Sequence, residues 1–165
     1  MVLQFANGRS LREHLQAKQN NDGLYKISWT ELIQIANDIA KGLKYLHSNG
    51  IIHRDLKFKR NEKSDIYSLG ILLWELTSGI PSFHNLTLME IILKIKYHCR
   101  EKDINNTPQD YANLYKKCWS SDPEQRPTLN EISVVLDTLS GEITVEFITN
   151  YIDNTLRDTS SDTKV

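Results

Sequence analysis

The sequence repeats one short signal four times: a serine or threonine, followed three positions later by a glutamate, at the head of an apolar pattern. In this spacing the hydroxyl oxygen can accept a hydrogen bond from the glutamate N–H, while the carboxylate accepts one from the N–H of the hydroxyl residue. Each pair therefore predicts the start of an α-helix, and the chain is predicted to be mainly helical. The four pairs are Ser10–Glu13, Ser28–Glu31, Thr87–Glu90 and Thr128–Glu131.

Two of the predicted helices differ in how much of their circumference is apolar. In the helix predicted from 28 to 48, apolar residues recur every three or four positions on one face, as in a helix packed on a core. In the helix predicted from 64 to 78 almost no polar face remains, which is typical of a central, buried helix. The two apolar patterns predict that these helices pack together, with Trp74 in the core.

Further helices are predicted at about 88–97, from Thr107–Pro108 to about Trp119, and from Thr128 to just before Gly141. The stretch from 143 to 156 alternates like a strand but also fits a helix by its apolar spacing, and we favour the helix. The polar tail after it is predicted to be disordered.

Bulk composition excludes several classes of partner. The 165 residues carry 20 Lys and Arg against 21 Asp and Glu, a formal charge of −1, which gives no electrostatic basis for binding nucleic acid or an anionic membrane. No signal peptide and no membrane span is apparent. The two cysteines, Cys99 and Cys118, could form a disulfide, but we favour two buried thiols in a reducing compartment. We therefore expect a cytoplasmic monomer.

Four motifs occur in an order that resembles the C-terminal lobe of a protein kinase, in the tyrosine-kinase-like or tyrosine kinase branch. They cover about residues 1 to 140. In chain order they read "LQFANGRSL", "GLKYLHSNGIIHRDL", "KSDIYSLGILLWELTSG" and "CWSSDPEQRP".

The resemblance implies roles for individual residues. Asp55 matches the aspartate that accepts the proton of the substrate hydroxyl, and Arg54 matches the arginine that binds a phosphorylated activation segment. Asp65 resembles a buried aspartate that hydrogen-bonds the catalytic-loop backbone, and a plain helix N-cap is its alternative. Arg126 matches an arginine whose usual partner is the glutamate of an Ala-Pro-Glu motif, which this chain lacks.

The opening residues resemble the hinge between the two kinase lobes. By that alignment the backbones of Gln4 and Ala6 would face adenine, and the same residues also fit a frayed terminus. The resemblance implies ATP and Mg²⁺ as cofactors, but we expect their binding to this chain to be very weak or absent, and we assign no metal ligand.

The interval between the loop and helix motifs is much shorter than in the family. Only ten positions separate Asp55 from Asp65, where the family has roughly fifty. The absent stretch would carry the Asp-Phe-Gly triplet and the activation segment, and Arg60 stands where the family has a Mg²⁺-binding asparagine. We place an internal deletion near residues 56 and 57.

These observations together predict a mainly α, protein-kinase-like C-lobe bundle that lacks the N-lobe and the activation segment. We expect a partial kinase domain over residues 1–140 and a partly disordered extension over 141–165. The family activity is ATP-dependent phosphotransfer to protein hydroxyls, and this form is predicted to be incompetent for it. Two alternatives stay open: a pseudokinase-like scaffold that binds unknown protein partners through the helices around 87–119, or a non-functional splice or gene-model product.

Overall fold

The computed structural model describes residues 8–51, 62–142 and 145–152. Most of them are helical, as the sequence predicted, and a two-stranded sheet and one 3-10 turn complete the fold. In chain order the elements are α1 (Leu11–Gln16), β1 (Leu24–Ser28), α2 (Trp29–Ser48), α3 (Glu62–Ser78), α4 (Leu88–Lys96), α5 (Gln109–Cys118), the 3-10 turn (Pro123–Gln125), α6 (Leu129–Gly141) and β2 (Phe147–Tyr151).

All four hydroxyl–glutamate pairs lie at helix starts, but they do not all form the same hydrogen bonds. Three form complete capping boxes, at the starts of α1, α4 and α6. At α2, Ser28 accepts from the N–H of Glu31, but the Glu31 carboxylate pairs instead with Lys18 and His14, at 2.7 and 3.0 Å. This carboxylate therefore ties the segment around α1 to the first turn of α2.

Helix α3 is the centre of the fold. It begins at Glu62, two residues earlier than predicted, and is buried at positions all along its length. Its apolar residues share one cluster with those of α2, α5, α6 and both strands, which confirms that α2 and α3 pack together. Trp74, at 3% exposure, is a core residue as predicted, and Trp119, at 4% exposure, lies in the same core.

A glycine lets α5 approach α3 closely. A Cβ built on Gly70 would lie 2.7 Å from the Cβ of Cys118 and 3.0 Å from the backbone N of Trp119 and the backbone O of Tyr115. Two of these three atoms belong to the backbone of α5 and its C-cap, which cannot swing away as a side-chain tip can. The close contact between the two helices therefore depends on the absence of a side chain at position 70.

The sheet covers the buried C-terminal end of α3. The last carbonyls of a helix have no partner within the helix and must be satisfied elsewhere. The Tyr25 hydroxyl of β1 donates to the Leu76 carbonyl at 2.7 Å, and the Asn150 side-chain amide of β2 donates to the Ser78 carbonyl at 2.9 Å. Gly79 then turns the chain with φ +75°, and a Cβ there would lie 2.4 Å from the Tyr25 ring.

The helix favoured for residues 143–156 is wrong, because residues 147–151 form strand β2. It pairs antiparallel with β1, a strand that the sequence reading had not predicted. Ile148 lies opposite Ile27 and both are buried, while Lys26 lies over the ring of Phe147 at 3.8 Å. Cross-strand pairing and burial on α3 therefore outweigh the helical spacing of this segment.

The start of α5 also differs from the prediction. Thr107 was expected to cap this helix, with Pro108 as the first helical residue. Pro108 itself occupies the N-cap position, without a side-chain cap, and the buried Thr107 hydroxyl has no hydrogen-bond partner among the described residues. The boundary moves by one residue because proline, which lacks an N–H, can also precede the first helical residue.

The cysteines and the membrane-spanning potential of the helices were also predicted from the sequence. Both cysteines are free thiols, but only Cys118 is buried, so the prediction of two buried thiols is wrong for Cys99. In the described part of the chain, no helix is both long enough and apolar enough to cross a bilayer.

The approach at Gly70 gives a test of the packing. Gly70→Ala should destabilise the protein by about 1–3 kcal/mol, because the new methyl group forces the α5 backbone outward. Gly42→Ala is the matched control in α2, where a Cβ meets nothing within 4 Å, and it should stabilise by about 0.5–1 kcal/mol through helix propensity. Urea unfolding of both variants measures the difference; equal stabilisation by both would contradict the packing.

Candidate functional site

The residues to which the resemblance gives catalytic or nucleotide-binding roles lie outside the described residues. These are Asp55 and Arg54 of the loop motif and Gln4 and Ala6 of the hinge motif. The described structure instead contains the two elements that flank the loop motif in sequence, namely the end of α2 and the start of α3. For the candidate site, the structure therefore shows how α2 and α3, the helices on either side of the loop motif, are held together.

Asp65 and His47 join these two supports. Asp65 stands in the first turn of α3 and is 5% exposed, and its Oδ2 lies 2.8 Å from Nε2 of His47, near the end of α2. Both side chains are buried, at 8% exposure for His47, so a broken pair would leave a polar group without water. Because Asp65 lies inside the helix, it is not the N-cap residue; the predicted bond to the catalytic-loop backbone falls outside the described residues.

His47 was missed by the sequence reasoning, although a signal for it exists. Positions 36, 40, 43 and 47 follow one another at intervals of three and four, so His47 continues the buried stripe of α2. A histidine on such a stripe needs a polar partner in the core. Asp65, in the first turn of α3, supplies this partner, and it is within reach only because the two helices pack side by side.

Two backbone carbonyls and an aromatic ring hold Arg126. Its Nε donates to the Ser120 carbonyl at 2.9 Å and its Nη1 to the Lys63 carbonyl at 2.8 Å, and its Cζ lies 5.0 Å from the centroid of the Tyr67 ring. Within residues 8–51, 62–142 and 145–152, no acid forms an ion pair with Arg126. Burial lowers the pKa of this guanidinium, since burial disfavours its charged form.

The side chains of Lys63 and Arg126 each donate a hydrogen bond to the backbone carbonyl of the other residue. Lys63 donates from Nζ to the Arg126 carbonyl at 2.7 Å, and Arg126 donates to the Lys63 carbonyl in return. These two bonds fasten the start of α3 to the segment that follows the 3-10 turn. Beside them a cavity of about 570 Å³ opens between α2, α3 and α6, lined by residues that include His47, Lys63 and Ile66.

The buried phenols and the buried thiol serve the core and are not nucleophiles. Burial raises the pKa of Tyr25 and of Tyr111, and it raises the pKa of the Cys118 thiol to about 12. These groups therefore remain protonated at neutral pH, and the thiolate that would react is scarce. The Tyr25 and Tyr111 hydroxyls donate to backbone carbonyls of α3. In the part of the chain that the structure describes, no three His, Cys, Asp or Glu residues could jointly hold a metal ion.

Comparison with known proteins matches this chain to the family model of the protein tyrosine and serine/threonine kinases. The match consists of two stretches, residues 1–61 and residues 57–136. The two stretches overlap over residues 57–61, beside the position near residues 56 and 57 where we predicted a deletion. The family pattern is therefore followed on both sides of this point, but not continuously across it.

The similar curated proteins include kinases of a plant and of humans. The serine/threonine/tyrosine-protein kinase HT1 of Arabidopsis thaliana is 26% identical over 184 residues, covering 83% of this chain and 46% of HT1. The serine/threonine-protein kinase STY46 of the same plant is 28% identical, covering 87% of this chain and 32% of its own. The human tyrosine-protein kinase FRK is 28% identical, covering 74% and 34%.

The alignment with HT1 is longer than the part of this chain that it contains. It runs over 184 residues, yet 83% of 165 residues is about 137, so about 47 aligned positions have no residue of this chain. The chain spans less than half the length of each of these three relatives. Since the family model matches most of the chain, the chain belongs to the protein tyrosine and serine/threonine kinase family.

Proposed function

We propose that this chain keeps the helical support of a kinase C-lobe but does not itself transfer phosphate. The family activity is ATP-dependent phosphotransfer to protein hydroxyls, with ATP and Mg²⁺ as cofactors. The observation that carries the proposal is the length and composition of the segment between Asp55 and the start of α3.

That segment is six residues long, because α3 begins at Glu62. It reads "LKFKRN" and contains no aspartate or glutamate, while Lys57, Lys59 and Arg60 are cations. Mg²⁺ takes oxygen ligands, usually one or two carboxylates together with the phosphates of the nucleotide. Phosphoryl transfer depends on positioning and on neutralising charge at the γ-phosphate, so a base without a held metal contributes little. The residues present do not fit the Mg²⁺ site of the family, and we derive no catalytic step through it.

Nucleotide binding should be too weak to stabilise the fold. In a thermal unfolding titration with Mg-ATP up to about 1 mM, we expect the midpoint to shift by less than about 1 °C, because a ligand far below its Kd adds little stability. The kinase domain of HT1 serves as the positive control. A saturable shift that requires Mg²⁺ would contradict the proposal.

Asp55 should behave as an ordinary loop carboxylate. Asp55→Asn should leave any trace of phosphotransfer in a purified preparation unchanged, because no metal or phosphate is held within its reach. Asp137→Asn, on the exposed face of α6, is the matched control. Transfer of labelled phosphate to a generic protein substrate measures both; a large loss in Asp55→Asn alone would show that the chain is an enzyme.

A second candidate function is protein binding through α4. None of the nine residues of this helix is buried, and most of its apolar side chains are exposed, at 74% for Leu88, 66% for Met89 and 50% for Ile92. Apolar side chains clustered on one unpacked helix are typical of a surface that another protein covers. Lys94 and Lys96 stand at its C-terminal end, so we infer a protein partner that presents an apolar segment with acidic side chains beside it.

The α4 surface can be tested with a photo-crosslinking residue at position 92. We expect it to capture one protein reproducibly, and binding of that protein, once purified, should weaken roughly tenfold in Ile92→Ser, since an exposed anchor of this size is worth about 1–2 kcal/mol. Val134, 65% exposed on α6, is the matched control for crosslinking and for substitution to serine. Capture of a second copy of this chain, or equal capture at 92 and 134, would reject the partner proposed here.

A further inference from the structure

Two hydrogen bonds at the ends of the sheet show which backbone groups of β2 face β1. The Trp29 N–H donates to the Glu146 carbonyl at 3.0 Å, and the Ile152 N–H donates to the Gly23 carbonyl at 2.9 Å. In an antiparallel ladder the hydrogen-bonded residues recur at every second position, so the second and fourth residues of β2 also face β1. The N–H and C=O groups of its first, third and fifth residues therefore point away from β1.

The outward-pointing groups belong to Phe147, Thr149 and Tyr151. Within the described ranges, no hydrogen bond reaches their three N–H and three C=O groups. The opposite edge of the sheet is occupied, because the Lys26 N–H of β1 donates to the Lys18 carbonyl at 3.2 Å. We propose that the β2 edge pairs with the same edge of a second copy of this chain, so that the dimer contains one four-stranded antiparallel sheet.

The β2 edge is complementary to itself about Thr149. In an antiparallel pair centred on this residue, Thr149 lies opposite Thr149 of the second copy, and Phe147 lies opposite Tyr151 of the second copy. This register pairs all three outward-pointing residues of each copy, whereas a shift by two residues leaves one of them unpaired. The two-fold relation also makes each contact occur twice, as in other closed dimers.

The side chains at this edge favour the same register. Successive side chains of a strand point to opposite faces, and the face that carries Phe147 and Tyr151 is the exposed one, at 36% and 78%. Ile148, on the other face, is fully buried against the core. The proposed pairing brings the Phe147 ring beside Tyr151 of the second copy twice, and aromatic cross-strand pairs stabilise antiparallel strands.

Strand β2 lacks the features that usually keep exposed strand edges from pairing. Natural proteins block such edges with lysine, proline or a bulge. The strand reads "FITNY", without a charged residue or proline, and its register with β1 is unbroken. The nearby cation, Lys26 of β1, lies over the Phe147 ring at 3.8 Å. No like charges therefore meet at the proposed seam, although the sequence led us to expect a monomer.

Sedimentation equilibrium of the full chain measures this dimer. A seam of five residues is small, so we expect weak association, with a Kd on the order of 10–100 μM. The average mass should rise with concentration from 19.1 kDa toward twice that value. Thr149→Lys should weaken association roughly tenfold or more, because it places like charges opposite each other, and Val134→Lys on exposed α6 is the matched control. A chain that stays monomeric up to about 500 μM, or equal association in both variants, would overturn the proposal.

Cysteine crosslinking tests the register even if Thr149→Lys weakens the sheet, where Lys26 lies opposite position 149. Cys99→Ser first removes the exposed thiol. In that background, Thr149→Cys places two thiols across the two-fold axis at a Cα separation of about 5.5 Å, which a disulfide can span. We expect a covalent dimer under mild oxidation from this variant and none from Phe147→Cys, whose two copies lie about 13 Å apart in this register. Crosslinking from Phe147→Cys or from the control Val134→Cys as readily as from Thr149→Cys, or none from Thr149→Cys, would overturn the proposed pairing.

Discussion

The central helix α3 ends inside the protein, so the backbone groups at that end must find partners within the fold, and much of the structure is arranged around that requirement. The C-terminal carbonyls of α3 lie inside the protein, away from water, where an unsatisfied carbonyl is expensive. Tyr25 and Asn150 supply two of the donors, from strands at opposite ends of the chain. The small sheet is therefore the cap of the central helix, and this explains why residues beyond α6 fold back onto the core.

The other end of α3 depends on polar contacts as well. The pair between His47 and Asp65 joins it to α2, and the exchange between Lys63 and Arg126 joins it to the segment before α6. These contacts hold the two ends of the short segment that contains the loop motif. The helices on either side of the loop motif are thus joined to each other and to the segment before α6, although only ten positions separate Asp55 from Asp65.

The helical core and the reaction of a kinase depend on different residues, so a chain can keep the first without the second. The aromatic rings of α2 and α5 pack against one another edge to face or tilted, at centroid distances of 5.1 to 5.9 Å, and no group of the loop motif takes part. These rings are Trp29, Tyr111, Tyr115 and Trp119. Family membership follows from the match of the sequence to the family model. Function has to be inferred from the site, because its charges and metal ligands determine which reaction it can catalyse.

The sequence by itself determined the features that depend on residues close together in the chain. These are the four helix starts marked by a hydroxyl residue and a glutamate three positions later, and the burial of α3, which follows from its apolar composition. It also determined the short interval after Asp55. Only the tertiary structure decided what depends on residues far apart in the chain. The strand pairing of 24–28 with 147–151, the bond between His47 and Asp65, and the meeting of Arg100 and Arg126 at Tyr67 are all of this kind. Each of these contacts depends on how distant segments pack, which no local pattern encodes. The segment 147–151 fits both a strand and a helix pattern, and it takes the strand conformation because this covers its apolar face.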